Sequence, residues 1–219
     1  MLIYNTPDWL QACSTGKGEE LDEMRAFGCG RPLSLPRQTH SDHVLYVTSE
    51  GRPADTDAVF PDVPGLCVAV KTADCIPVLL YDRRLRRVAA IHAGWKGTVQ
   101  YIVQKTVEAM GSEGKDLSAI IGPGISLESF EVGEEVYERF SEALFPMERI
   151  ARLWPPTQEK PETRWHIDLW EANRWILEEY GVHDITIAGV DTKTSPLYYS
   201  ARRETINTGR NYNWITIRS

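Results

Sequence analysis

Two short apolar runs flanking one basic turn constrain this chain more than any other feature. VLLYD (78–82) and RVAAIHAG (87–94) stand on either side of DRRLRR (82–87). Short runs of aliphatic and β-branched residues on both sides of a polar turn predict a β-hairpin. CVAVKT (67–72) predicts a further strand just upstream, separated from VLLYD by Pro77. From residue 66 onward strands dominate. No apolar run approaches the ~18 residues that a membrane span requires, so the chain is expected to have no contact with a membrane.

Further along, the pattern alternates. Val99, Ile102, Val103, Val107 and Met110 recur at helical spacing and predict one helix. AIIGPG (119–124) predicts a buried strand ending in a Gly-Pro-Gly turn. A second helix is predicted over 132–144, with Val136 and Phe140 on its apolar face. PPTQEKPE (155–162) is the best linker candidate. A third helix is predicted to start at Asp168, where Asp168 and Glu171 have capping-box spacing, and to stop before Gly181. DITIAGV (184–190) and WITIR (214–218) predict two more strands, while 1–36 is polar, glycine-punctuated and without a clear pattern. Alternating strands and helices interrupted by hairpins favour a mixed α+β architecture over a doubly wound parallel sheet. At 219 residues the chain fits one sizeable domain or two fused halves, long enough to bury a core without staples. Repeats of solenoid period and the sequences GxGxxG, Walker A and GxSxG are absent.

Composition narrows the function classes. Lys and Arg number 24 against 31 Asp and Glu, for a net charge of −7, which argues against an electrostatic grip on nucleic acid. The first residues, MLIYNTPDWLQ, lack the basic and apolar regions of a signal peptide, so a cytoplasmic protein is expected. The four cysteines, Cys13, Cys29, Cys67 and Cys75, form no CxxC pair, and a disulfide framework is not expected.

Three fragments carry ligand chemistry at turns or strand ends: QTHSD around His40, KTADC around Cys75 and AAIHAGWKG around His92. Loops held at strand ends are where a rigid fold presents reactive groups. Taken singly, each has an ordinary reading, since free Cys is commonly a small buried hydrophobe and a lone His a hydrogen-bonded structural residue. His43, His166 and His183 are read in that structural way. One Cys and two His could form a metal site, but their spacing alone does not decide it.

Taken in order, QTHSD, KTADCIPVLL, RVAAIHAGWKG, IGPGIS..SFEVG and YYSARRETINTGRNYNWI resemble the motifs of the YfiH family. Its members have been called polyphenol oxidases or laccase-domain proteins, and also purine nucleoside phosphorylases. The resemblance runs from about Gln38 to the C-terminus. It implies a single α+β domain of paired mixed β-sheets covered by helices, similar to the catalytic domain of cytotoxic necrotizing factor toxins. It also implies a zinc ion on His40, Cys75 and His92. Three protein ligands with an open fourth position are the mark of a catalytic zinc site.

The activity implied is zinc-dependent phosphorolysis of adenosine, inosine or guanosine to free base and ribose 1-phosphate. Adenosine deamination and methylthioadenosine phosphorolysis accompany it in the family. Phosphorolysis needs an anion site, for which Arg202, Arg203 and Arg210 are the expected suppliers of bidentate contacts. Asp74, beside Cys75, is a candidate acid/base or metal-supporting group, and Asp57 in DTDAV is a weaker one. Two departures from the family pattern bear on substrate contacts. Lys96 stands where HAGWRG has arginine, keeping the charge without the planar fork, and Asp191-Thr192 replaces a Cys-Thr pair. Three other readings remain open at this point: a copper-dependent phenol oxidase, since His2Cys sites also hold copper; a hydrolase with Cys75 as nucleophile and His92 as base; and a zinc-stabilised binding module.

Overall fold

The structure, a computed structural model, describes residues 1–19, 32–156 and 163–218. Its centre is the expected hairpin, β7 (Ile76–Asp82) and β8 (Arg87–Ala93), antiparallel with Asp82 opposite Arg87. The Asp82 carboxylate closes the turn by accepting from the Arg84 and Leu85 amides at 2.8 and 2.7 Å. Arg86 takes a left-handed conformation there. Pro77 does not separate two strands as the sequence suggests. It lies inside β7 opposite His92, and pairing with the next strand begins only at Val78, so its missing N–H costs no ladder bond on that side.

Around this hairpin a six-stranded mixed sheet forms from β4 (Val44–Tyr46), β5 (Ala58–Phe60), β9 (Leu117–Ile121) and β13 (Asp184–Ile187), in the order β13-β9-β7-β8-β5-β4. The two outermost pairs are parallel and the rest antiparallel. A second mixed sheet, β1-β2-β14-β6-β3, joins β1 (Leu2–Ile3), β2 (Leu10–Ser14), β3 (Leu33–Ser34), β6 (Cys67–Thr72) and β14 (Asn211–Ile217). Its central strand, β14, bonds to both β2 and β6. The expected paired mixed sheets are therefore present. A small antiparallel sheet of β10 (Glu131–Val132), β11 (Ala151–Trp154) and β12 (Arg164–Ile167) sits apart.

The side-chain period of two explains why β7 reads as continuously apolar. Ile76, Val78 and Leu80 enter a core shared with the helices, while Leu79 and Tyr81 enter a second core with Val68, Val70 and Ile215 of the other sheet. A strand buried on both faces cannot alternate, and each fully buried aliphatic side chain contributes about 1.5–3 kcal/mol. On the far face of the five-stranded sheet, Cys13, Leu35, Ala69 and Trp214 form a third cluster. Cys13 and Cys75 are free thiols, but Cys67 is disulfide-bonded, an exception to the reading of the cysteines as unpaired.

The helices cover the outer face of the six-stranded sheet. The predicted helix at Val99–Met110 is two: α1 (Trp95–Val99) and α2 (Ile102–Met110). They break at Tyr101, which is left-handed with φ 61°. Its ring stacks on Phe145 at 5.1 Å and its hydroxyl donates to the Ala143 carbonyl, so tertiary contacts outweigh the continuous apolar period. α3 (Glu134–Glu142) buries Val136 and Phe140 as expected, although Val132 belongs to β10. α4 (Met147–Ile150) is a single turn. α5 (Leu169–Glu179) starts where the sequence places it, with the Asp168 carboxylate accepting from the Glu171 amide at 2.9 Å. It ends before Gly181, whose φ of 76° suits glycine. Of the predicted linker, 157–162 lies outside the described residues.

Candidate metal centre

Three segments distant in sequence meet at the open end of the hairpin. Cys75 occupies the turn between β6 and β7, and His92 is the penultimate residue of β8, next to the closing pair Ile76–Ala93. His40 comes from the loop between β3 and β4. His40 Nε2 lies 3.7 Å from Cys75 Sγ, the two imidazole centroids are 4.8 Å apart, and all three donor atoms lie within 4.8 Å of one another. Among the described residues this is the one group of three or more His, Cys, Asp or Glu side chains gathered tightly enough to hold an ion.

The donor set fits zinc. Bonds of about 2.1 Å to nitrogen and 2.3 Å to sulfur at a tetrahedral angle put two donors about 3.6 Å apart, close to the observed His40–Cys75 spacing. Gly94 is needed for space: a Cβ there would stand 3.0 Å from Cys75 Sγ and 3.1 Å from His40 Cδ2.

Asp57 organises the site. Fully buried, it uses Oδ1 to accept from His92 Nδ1 at 2.7 Å and the His40 amide at 3.1 Å. Its Oδ2 accepts from the Thr39 amide at 3.1 Å, the Ser41 amide at 2.9 Å and the Ser41 hydroxyl at 2.7 Å. One carboxylate thus holds the loop that carries His40, itself left-handed at φ 62°, and fixes the His92 tautomer so that Nε2 faces the centre. Burial alone would push the Asp57 carboxyl up, but hydrogen bonds from His92, Ser41 and Thr39 outweigh it and hold the group well below the usual carboxylate range. Sequence reasoning ranked Asp57 low because an acidic loop residue is usually solvated. Its signal, an Asp directly preceding a buried strand, is too common to single it out.

Cys75 and His92 form a coupled pair. Burial opposes both charges. The neighbouring His92 and the hydrogen bonds from His40 and His92 nevertheless lower the Cys75 thiol, while Cys75 and Asp57 raise His92. A thiolate is the form that a metal requires.

A cavity of about 340 Å³ opens beside the three donors. Its polar walls include Arg37, Gln38, Lys71 and Arg210. Burial, then the charges of Arg52 and Arg210, lower the Lys71 ammonium below its ordinary value. Gln38 fixes this wall to β6, donating to the Lys71 carbonyl at 2.7 Å and accepting from the Lys71 amide at 2.8 Å. Arg37 and Lys71 were missed by sequence reasoning, although Arg37 directly precedes QTHSD and Lys71 is the first residue of KTADC.

The other sequence-predicted residues have varied positions. Arg210 lines the cavity and also donates to the carbonyls of Ile206 at 2.7 Å, Gly209 at 3.0 Å and Thr208. Arg203 donates to the carbonyls of Thr192, Lys193, Ser195 and Tyr198 at 2.9, 2.8, 2.7 and 2.5 Å. Arg202 reaches the Glu131 carbonyl at 3.0 Å, its guanidinium 5.4 Å from the Phe130 ring centre. Lys96 lies against Trp95, 5.7 Å from the ring centre. Asp74, left-handed at φ 90°, accepts from the Thr192 hydroxyl at 2.7 Å and the Arg202 amide at 2.6 Å, joining the Cys75 turn to the 190–202 segment. Asp191 accepts from the Ser129 hydroxyl at 2.6 Å, the Lys193 amide at 3.0 Å and the Thr194 hydroxyl at 3.0 Å, so the carboxylate standing at the family's usual cysteine ties two loops together.

These contacts give Arg203 a structural signature. Arg203→Lys, which keeps one charge but cannot span four carbonyls, is expected to destabilise the protein by about 1–3 kcal/mol and lower the melting temperature by about 5 °C. An unchanged melting curve with weakened phosphate binding would instead make it a ligand-binding residue.

Residues 19–218 match the family model described as multi-copper polyphenol oxidoreductase laccase. A purine nucleoside phosphorylase of Bacteroides thetaiotaomicron is 42% identical over 203 residues, covering 84% of this chain and 73% of that protein. Adenosine deaminase RL5, from an unknown prokaryotic organism, is 37% identical over 201 residues, covering 84% and 74%. Among solved structures, the YfiH protein of Bacillus licheniformis matches with a TM-score of 0.84 at 24% identity, over 96% of this chain and 94% of that one, which speaks for the fold. With motifs, fold and relatives in agreement, the chain is an enzyme of the YfiH family.

Proposed function

We propose that this enzyme is a zinc-dependent purine nucleoside phosphorylase, converting adenosine, inosine or guanosine and phosphate to free base and ribose 1-phosphate. The observation that carries the reading is the cation-walled cavity beside the His40, Cys75 and His92 donors. Relatives named purine nucleoside phosphorylase support it.

Phosphate is held by Arg37, Lys71 and Arg210, whose charge-assisted hydrogen bonds suit a dianion. They place a phosphate oxygen for attack at the anomeric carbon: the new C–O bond forms, the glycosidic C–N bond breaks, and the base leaves with its electron pair and takes the proton that the hydrogenphosphate dianion gives up. A zinc ion bound by His40, Cys75 and His92 would supply Lewis acidity and a polarised water in its open position. Asp57 holds His92 and the His40 loop in place, and Asp74 serves as a positioning residue that keeps the Cys75 turn against the segment carrying Arg202. No helix among the described residues is long and apolar enough to cross a membrane, and we assign the enzyme to free nucleosides in the cytoplasm.

Copper oxidase chemistry fits less well. A multicopper centre requires a histidine-rich trinuclear cluster, but His43 bonds to the Asp55 carbonyl and His166 to the Leu127 carbonyl, apart from the triad. The relative named adenosine deaminase favours deamination as the second reading. Product analysis of the zinc-loaded protein with adenosine, with and without phosphate and beside Cys75→Ala, tests both. Phosphate-dependent adenine and ribose 1-phosphate, lost in the variant, are expected. Inosine formed without phosphate would move the assignment to a deaminase, and neither product would overturn both.

A further inference from the structure

The cavity lining also includes apolar side chains, and the placement of one of them is informative. Ile206 lines the cavity while leaving 70% of its surface exposed. Ala73 and Ala201 line the same cavity. The segment that carries Ile206 is tied internally rather than free. Arg210 bonds to the carbonyls of Ile206 and Gly209, the Thr208 amide donates to the Thr205 carbonyl at 3.0 Å, and the Asn207 amide donates to the Thr205 hydroxyl at 3.3 Å. Gly209 lies against the Tyr199 ring, where a Cβ would come within 2.4 Å of it. A β-branched aliphatic side chain held exposed by a bonded loop, in the lining of a cavity that also carries Arg37, Lys71 and Arg210, is preorganised for an apolar surface that arrives with a ligand.

We infer that Ile206 is a specificity-determining residue that packs against the flat face of the purine base, while the Arg37, Lys71 and Arg210 side chains of the same cavity hold the anion. The inference rests on the nucleoside reading above. Phosphate has no apolar face and gains nothing from Ile206. A base gains the burial of a rigid aliphatic group whose ordering cost is already met by the loop.

Calorimetric titration with each ligand alone separates the two subsites without phosphorolysis, and adenosine recovered unchanged at the end of the titration excludes deamination. Adenosine and inorganic phosphate are titrated separately into zinc-loaded wild type, Ile206→Ser and Ile206→Val. Because Ile206 is largely exposed, both variants are expected to fold, and an unchanged phosphate Kd serves as the internal check. The expected result is an adenosine Kd about tenfold higher in Ile206→Ser, near wild type in Ile206→Val, and an unaltered phosphate Kd in both. Adenosine binding equal to wild type in Ile206→Ser overturns the inference and leaves the phosphorylase reading standing. Adenosine binding that weakens as expected, in a protein that cleaves no nucleoside with phosphate, overturns the phosphorylase reading and leaves Ile206 as a base contact.

Discussion

Asp57→Ala is expected to empty the metal centre and to lower stability by about 3–5 kcal/mol, the cost of removing one partner from a buried charged network. The carboxylate is fully buried and accepts five hydrogen bonds at 3.1 Å or less, from His92, Thr39, His40 and both the amide and hydroxyl of Ser41. Alanine leaves three loop amides and an imidazole N–H without their acceptor. His40 then loses the restraint that keeps it left-handed, and His92 loses the partner that fixes its tautomer. Asp57→Asn is expected to fall between: its volume is right and its carbonyl still accepts, but its NH2 must face amide donors. Metal content by elemental analysis and unfolding by calorimetry read both effects. A stoichiometrically metallated Asp57→Ala protein with a native melting temperature would show that Asp57 does not organise the centre.

Arg210→Ala is expected to lower kcat/KM for phosphorolysis by about a hundredfold, since hydrogen bonds to charged groups contribute about 1.5–3 kcal/mol. Two functions are lost together: a cation of the cavity wall, and the clasp over the Ile206, Thr208 and Gly209 carbonyls. The KM for nucleoside and for phosphate should therefore both rise. Lys71→Met separates the two, because Lys71 stands on β6 and, among the described residues, ties no loop carbonyl with its ammonium group. It should raise the phosphate KM about tenfold and leave the nucleoside KM unchanged. A phosphate KM unmoved in both variants would remove this wall from the anion site.

The sequence disclosed most where local physics decides. The β7–β8 hairpin, β9 with its Gly-Pro-Gly end and the Asp168 cap of α5 are short-range patterns, and each forms as read. Errors fell where tertiary contact overrules local signal. Tyr101 breaks a helix whose apolar period runs on, because its ring packs on Phe145 and Trp175. Pro77 joins a strand at the one end where its missing N–H is harmless. At the site, the hairpin links Cys75 to His92, but His40 comes from a separate segment that spacing cannot link, so the full triad was legible only through ordered motifs. The arginines show a different limit. Sequence identifies a guanidinium but not its target, and Arg203 turned out to face four carbonyls.

The placement of β14 sets the order in which the protein can assemble. Its register joins Ile217 to Leu10, which bridges nearly the whole chain, and Thr216 to Cys67, and both pairings carry the loop-closure cost of distant contacts. The β7–β8 hairpin closes locally, and hairpins of this kind form in about 1–10 μs. Cys75 and His92 flank its open end, so two of the three donors are neighbours before the five-stranded sheet exists. His40 joins them only once Asp57 has captured its loop. An ion present while the chain folds is thus expected to meet a two-donor half-site first and to become enclosed when the long-range architecture is complete.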